Sequence, residues 1–259
     1  MSHGPVVRQD HDAVRALLLN RPPSNNLSLA LLNALIEEVE AVRADPRVRC
    51  LVLGSALPKY FSSGLDLSEM LSLPDGQRPE FFHRLMRVHR ALRDLSCPTV
   101  AAVGGYALLG GFILTLACDV RCIAEESGRV SLSEIRLGLS PTTPLIRLVL
   151  AATGRPGLVK ELLLQGKTLK ASEALAAGLV DDILPSDGFW DAALHKAHQL
   201  AKVPPRAYAS VKRAVRSALL PNEDELWAQG AREFQELFSG PEAREGIAAM
   251  REKRKPRWE

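Results

Sequence analysis

GGYALLGGFILTLACDVRCIA, residues 104–124, is the stretch from which the fold can be read. Just upstream, Thr99–Val103 carries the β-branched and small residues of a buried strand, entered through Pro98. Paired glycines then form a connection over 104–111. Residues 112–118 read as a short apolar helix, and Val120–Ala124 reads as the next strand. Strand, helix, strand at this spacing is the unit of a parallel sheet with right-handed crossovers.

The same alternation extends outward. Val14–Leu19 reads as a buried strand that stops at Asn20-Arg21-Pro22-Pro23. Ser28 can cap the helix that follows. Its apolar stripe is Leu32, Leu35, Ile36, Val39 and Val42, opposite Glu37, Glu38 and Glu40. After Asp45-Pro46, residues 50–53 form a second apolar strand. FSSGLDLSEM, residues 61–70, reads as a glycine-containing turn at a strand end, and 71–76 as loop. Pro79 opens a helix with the stripe Phe82, Leu85, His89 and Leu92. From about Leu145 the chain turns mostly helical: 171–177 stopped by Gly178, then 190–201, 207–218, Glu223–Phe238 and 241–254, with 180–184 as a late strand. The expected fold class is α/β. Residues 1–200 would form a core of strand–helix repeats, and 201–259 a helical C-terminal lobe that serves oligomerisation and pocket cover.

Composition narrows the function. The chain has 259 residues, 46% apolar and 24% charged, the profile of a globular protein in water. A net charge of +3, evenly spread, gives no nucleic-acid footprint, and the aromatic residues are not interleaved with basic runs. The four cysteines, Cys50, Cys97, Cys118 and Cys122, fall in expected strands and a helix without a CxxC pair, so reduced thiols are expected. His195 and His198 lack metal-binding companions, and no metal site is expected. The N-terminal dozen residues are polar, and no apolar run reaches membrane-spanning length. A soluble, cytoplasmic protein without a membrane partner is the expectation.

Two segments carry chemistry. A small residue and a glycine, Ser63 and Gly64, stand where a strand should end, and Gly110-Gly111 stands at the mouth of a helix. Unhindered backbone N–H groups at such places can hold a developing oxyanion, and a helix N-terminus favours negative charge. Glu134 is a lone acid further along. Alone, Gly110-Gly111 would be a tight turn and Glu134 an exposed acid beside Arg136.

Taken in order, GLDL after a strand, then GG and CD, then SEI-x-LG-x-x-P resemble the enoyl-CoA hydratase/isomerase (crotonase) superfamily. NRP at 20–22, LLLQGKTLKASEALAAGLVDDILP at 162–185 and PPRAYASVKRAV at 204–215 are similar to family passages too, so the likeness runs from about residue 14 to 250. It implies a crotonase-like spiral core and an acyl-CoA thioester substrate, with coenzyme A part of the substrate and no separate cofactor. It also implies a homotrimer or a dimer of trimers. By the resemblance, Ser63 and Gly110 align with the oxyanion donors. Gly64, Leu65 and Asp66 fall in the CoA-contacting loop, Gly111 supports it, and Glu134 is the acid that moves a proton at C2.

Family hydratases carry a second Glu three residues after the oxyanion glycine, where this chain has Ile113. The one-glutamate pattern, with GLDL-x-EM, is that of Δ3,Δ2-enoyl-CoA isomerases. Dienoyl-CoA isomerases place acids at the positions of Ile113 and Thr142, and neither is acidic here. Asp66 and Glu69 could replace the missing acid, although loop acceptors or solvated side chains describe them better. Double-bond isomerisation through Glu134 therefore leads. Hydration with a substitute group, decarboxylation, carbon–carbon cleavage and an inactive CoA-binding member stay open. Residues 71–90 and 142–150 are expected to shape the acyl pocket.

Smaller signals read blandly. Gly166-Lys167-Thr168 lacks the first glycine of a phosphate loop. The basic C-terminus, with Arg244, Arg251, Arg254 and Arg257, reads as a solvated helix end, with attraction to CoA phosphates as the sharper reading. Lys212 and Arg213 are similar candidates. Trp227, Phe234 and Phe238 share a helical face that is core or subunit interface.

Overall fold

The computed structural model describes residues 4–258. Its strands are β1 (Val6–His11), β2 (Val14–Leu19), β3 (Cys50–Ser55), β4 (Tyr60–Ser62), β5 (Thr99–Val103), β6 (Tyr106–Leu108), β7 (Val120–Ala124), β8 (Arg129–Ser131), β9 (Thr168–Lys170) and β10 (Asp182–Leu184). They form two sheets, β1-β2-β3-β5-β7-β10 and β4-β6-β8-β9. The first is parallel from β2 onward, and β1 joins as an antiparallel edge. The helices are α1 (Leu29–Ala44), α2 (Leu67–Ser72), α3 (Pro79–Arg93), α4 (Gly110–Leu116), α5 (Thr143–Thr153), α6 (Pro156–Leu164), α7 (Ala171–Ala176), α8 (Phe189–Leu200), α9 (Pro205–Leu219), α10 (Glu223–Phe238) and α11 (Pro241–Arg251).

The large sheet is covered on both faces, which is why its central strands are continuously apolar. Leu17, Leu19, Leu51, Leu53, Ala101 and Val103 face α1 and α3 in the main core. Val14, Ala16, Val52, Val100 and Ala102 face α8, whose Ala193 and Ala197 are fully buried against the sheet. Gly54 leaves room for Trp190, because a Cβ there would lie 2.8 Å from the indole ring. Ser28 caps α1 as expected, its Oγ accepting the Leu31 N–H at 3.1 Å.

The structure differs from the sequence reading in four places. β1 is absent from that reading because its residues are half-exposed and polar. The second sheet was hidden because its strands are three residues long, too short for a period to show. The stretch 61–70 is more than a turn: after Gly64 it bridges to Leu27 and then enters α2, capped by Asp66. Cys97 sits in the loop before β5 rather than in a strand, and all four cysteines are free.

The aromatic face of α10 packs inside the chain. Phe234 stacks on Phe82 at 4.7 Å and on Phe238 at 5.5 Å, and both α10 phenylalanines are buried. Of the two readings, core or subunit interface, Phe234 and Phe238 take the core. The bare apolar face belongs to α9, where no residue is buried and Val211, Val215 and Leu219 are 63%, 52% and 40% exposed.

His89 of α3 is fully buried, its ring edge-on to Trp227 and both nitrogens without a hydrogen-bond partner. Burial, with Arg93 and Arg216 nearby, holds it well below its ordinary 6.5, so it stays neutral in the fold. The unfolded chain takes up that proton first, and stability is lost as pH falls below 6.5. The urea midpoint should drop between pH 7 and pH 5, and His89→Leu should shrink the drop. An equal drop in the variant would remove His89 as its cause.

Candidate active site

The site is built where the two sheets' loops meet α4. β4 ends at Ser62, whose Oγ donates to the Asn25 carbonyl at 2.7 Å and accepts the Gly64 N–H at 3.2 Å. Gly64 turns the chain at φ +95, in the region that favours glycine. Leu65 then forms a single parallel bridge with Leu27. The Leu27 N–H donates to the Gly64 carbonyl at 2.8 Å, and the Asp66 N–H donates to the Leu27 carbonyl at 3.1 Å. Along extended backbone, successive N–H groups point to opposite sides. The bridge therefore aims the Leu65 N–H away from Leu27, toward Gly110.

Gly110 begins α4, so its own N–H has no intrahelical acceptor. A Cβ on Gly110 would lie 3.4 Å from the Leu65 nitrogen, and one on Gly64 would lie 3.2 Å from the Gly110 nitrogen. Among the described residues neither Leu65 N–H nor Gly110 N–H has an acceptor. The two form an unfilled pair of donors. Leu109 before them sits at φ 51, ψ −128, a costly conformation for a residue with a side chain. It is held by its N–H to the Ser131 carbonyl at 2.9 Å and by its carbonyl, which accepts from Ile113 at 3.0 Å. Gly111 is dictated by crowding, since a Cβ there would meet the Ser62 carbonyl oxygen at 2.4 Å.

This geometry corrects one sequence assignment. The Ser63 N–H donates to the Ser24 carbonyl at 3.1 Å and is not available to a ligand. Its hydroxyl lines the cavity and meets the Ser24 hydroxyl at 3.2 Å. The free amide lies two residues on, at Leu65. No side-chain pattern marks it, because the signal is a hydrogen-bond parity set by the bridge to Leu27.

Glu134 opens a 3-10 turn, Glu134–Leu137, and is only 8% exposed. One carboxylate oxygen, Oε2, is buried without a partner. Burial pushes its pKa up to about 8. The turn is clamped by α11. A Cβ on Gly138 would lie 2.6 Å from the Glu242 backbone, and one on Gly246 would lie 2.5 Å from the Leu137 backbone. Backbone against backbone fixes where Glu134 sits.

Leu65, Gly110, Ile113 and Glu134 line one cavity of about 180 Å³. Asp66 is its other acid, and it is committed. It accepts the Glu69 N–H at 3.0 Å as cap of α2 and pairs with Arg21 at 2.6 Å. Ile113 is buried in its wall, at the position where the resemblance gives family hydratases a second acid. Of the ranges expected to shape the pocket, Phe82, Leu85 and Leu145 do line it. Leu139, Ser140 and Pro141 join them from the segment after Glu134, and Phe234 and Met250 from the C-terminal helices expected to cover the pocket.

The remaining candidates fall elsewhere. Lys212 donates to Asp119 at 2.7 Å and to the Cys97 carbonyl at 3.1 Å. Arg254 pairs with Glu245 and Glu252. Gly166 turns at φ +60 and Lys167 lies between Glu161 and Glu173, a helix exit rather than a phosphate loop. Among the described residues no cluster of His, Cys, Asp and Glu could hold a metal ion, and no helix is long and apolar enough to cross a membrane.

The family model for enoyl-CoA hydratase/isomerase matches residues 9–259. The chain belongs to the enoyl-CoA hydratase/isomerase family. Within this family it is 35% identical to 2,3-dehydroadipyl-CoA hydratase of Escherichia coli K12, over 99% of this chain and 98% of the relative. It is 32% identical to mitochondrial methylglutaconyl-CoA hydratase of Rattus norvegicus, over 97% of this chain and 81% of the relative. A crystal structure of an enoyl-CoA hydratase from Mycobacterium avium subsp. paratuberculosis K-10 superposes with TM-score 0.87 at 29% identity, covering 98% of each chain. The expected crotonase fold is therefore the observed one.

Proposed function

We propose that this member of the enoyl-CoA hydratase/isomerase family moves a double bond, converting a 3-enoyl-CoA to a 2-enoyl-CoA. One observation carries the reading: Glu134 is the single uncommitted carboxylate in a cavity whose other acid position is Ile113. The thioester oxygen accepts from the N–H groups of Leu65 and Gly110. The Glu134 carboxylate removes a C2 proton, and the electron pair spreads over the thioester oxygen and the C3–C4 double bond. Glu134, now protonated, returns the proton at C4, leaving the double bond between C2 and C3. A base that must both take and give one proton works best with a pKa near the working pH, and burial brings Glu134 there. The chemistry calls for no cofactor beyond the CoA of the substrate.

Hydration is the second reading, because the relatives are named hydratases and the hydroxyls of Ser63 and Ser140 line the cavity. A side-by-side assay separates the two. Fast turnover of a 3-enoyl-CoA with slow hydration of the matching 2-enoyl-CoA is expected. The reverse would mean that a hydroxyl-held water does the work of the missing acid.

The acyl group accepted is uncharged. Among the described residues no Lys, Arg or His lines the cavity, and the two charged ones that do, Asp66 and Glu134, are both acidic. A carboxylate at the far end of the acyl group would be buried beside apolar walls without a partner. Enoyl-CoAs with alkyl tails should therefore exceed ω-carboxylated ones by about 10²-fold or more in kcat/KM. Equal rates would place a cation at the site from elsewhere. The exposed Val211, Val215 and Leu219 stripe of α9 supports assembly as a trimer or dimer of trimers.

A further inference from the structure

The catalytic cavity ends against α3 and α10, where Phe82 and Phe234 stack face to face at 4.7 Å. Phe82 is 3% exposed and borders two spaces. It lines the catalytic cavity, and it also lines a separate groove of about 350 Å³ along the α3–α10 seam, together with Met86, Trp227, Ala228 and Ala231. The groove continues the line of the cavity: Ala231 precedes Phe234 by one helical turn on α10, and Met86 follows Phe82 by one turn on α3. Phe82 stands at the inner end, and on α10 the small Ala228 and Ala231 leave room beside Trp227. His83, Arg87 and Arg90 stand at its mouth.

Resting on the acyl-CoA reading above, we propose that Phe82 is the partition that sets the longest acyl tail this enzyme accepts. A short tail fills the cavity up to the ring. A longer tail would need the space beyond it, which exists as the α3–α10 groove but is walled off by one side chain. Phe82 thus acts on specificity without touching the reacting carbons. The wall is firm because the ring is pinned by Phe234, which is itself stacked on Phe238 at 5.5 Å.

The experiment measures affinity for saturated hexanoyl-, dodecanoyl- and hexadecanoyl-CoA by calorimetry, so it needs no turnover. Phe82→Leu should raise the affinity ratio of hexadecanoyl- over hexanoyl-CoA by tenfold or more, the worth of about one added methylene contact or better. Phe82→Met, close in volume and flexible, guards against a folding failure and should move the ratio the same way. Ala231→Phe should leave the wild-type profile alone, yet cancel the gain when combined with Phe82→Leu. An unchanged length profile in both folded Phe82 variants would overturn the partition while leaving the acyl-CoA reading intact. A gain that survives Ala231→Phe would overturn the groove as the route. Failure of the wild-type protein to bind any of the three thioesters would overturn the acyl-CoA reading, and this inference with it.

Discussion

Glu134→Gln should lower isomerisation by roughly 10²–10⁴-fold, the usual worth of a positioned general base. The amide keeps the shape of the side chain and cannot take the C2 proton. Acyl-CoA affinity should persist, because the oxyanion donors are backbone groups. The wild-type profile gives an independent check. With Glu134 at about 8, kcat/KM should climb about tenfold per pH unit below that value and level off above it. The variant's residual rate should lose that limb. Stability should move the other way. Native Glu134 holds its proton up to about pH 8, while the unfolded chain releases it near 4.5, so wild-type stability falls as pH rises between those values. Glu134→Gln should therefore be the more stable protein at pH 8 by a few kcal/mol, with the gap closing toward pH 4.5. A variant that keeps wild-type turnover would remove Glu134 from the chemistry.

Replacing the Leu65 amide by an ester, through incorporation of the matching α-hydroxy acid, should lower kcat by about 10²–10³-fold, the cost of losing one oxyanion donor. The side chain stays, and among the described residues the Leu65 N–H has no acceptor; the Gly64 carbonyl, which accepts the Leu27 N–H, becomes a weaker ester acceptor. Stability should therefore fall by about 1 kcal/mol or less. The same replacement at Ser63 removes its bond to the Ser24 carbonyl. That change should cost about 1 kcal/mol of stability with kcat largely retained. If the ester at Ser63 abolished turnover and the ester at Leu65 did not, the donor assignment drawn from the bridge geometry would be wrong.

The two esters also mark where sequence reading stops. Glycine requirements at Gly64, Gly110 and Gly111 are visible in a sequence because only one residue type meets them. The loneliness of Glu134 is visible for a similar reason, since Ile113 is an apolar residue in a place where an acid would matter. The large sheet was legible because its strands are long, continuously apolar and bounded by proline and glycine. The small sheet was not, although β4 and β6 deliver both donor loops. Which N–H is free depends on a bridge between Leu27 and Leu65, a partnership that no local pattern encodes. That the C-terminal helices cover the pocket was expected, but not which side chains do so. Phe234 and Met250 reach it through tertiary packing that no local pattern encodes.

The clamp of α11 on the turn that begins at Glu134 gives the C-terminal end of the chain a say in chemistry done by its middle. Gly138 meets Glu242, and Gly246 meets Leu137, main chain to main chain with no side chain to flex between them. The seat of Glu134 therefore depends on α11 lying against its turn. A chain cut short before residue 241 would keep its amide donors and lose the fixed stance of its base. Truncation would also take Met250 from the cavity wall, so it should cost acyl-CoA affinity as well as turnover, with turnover falling further.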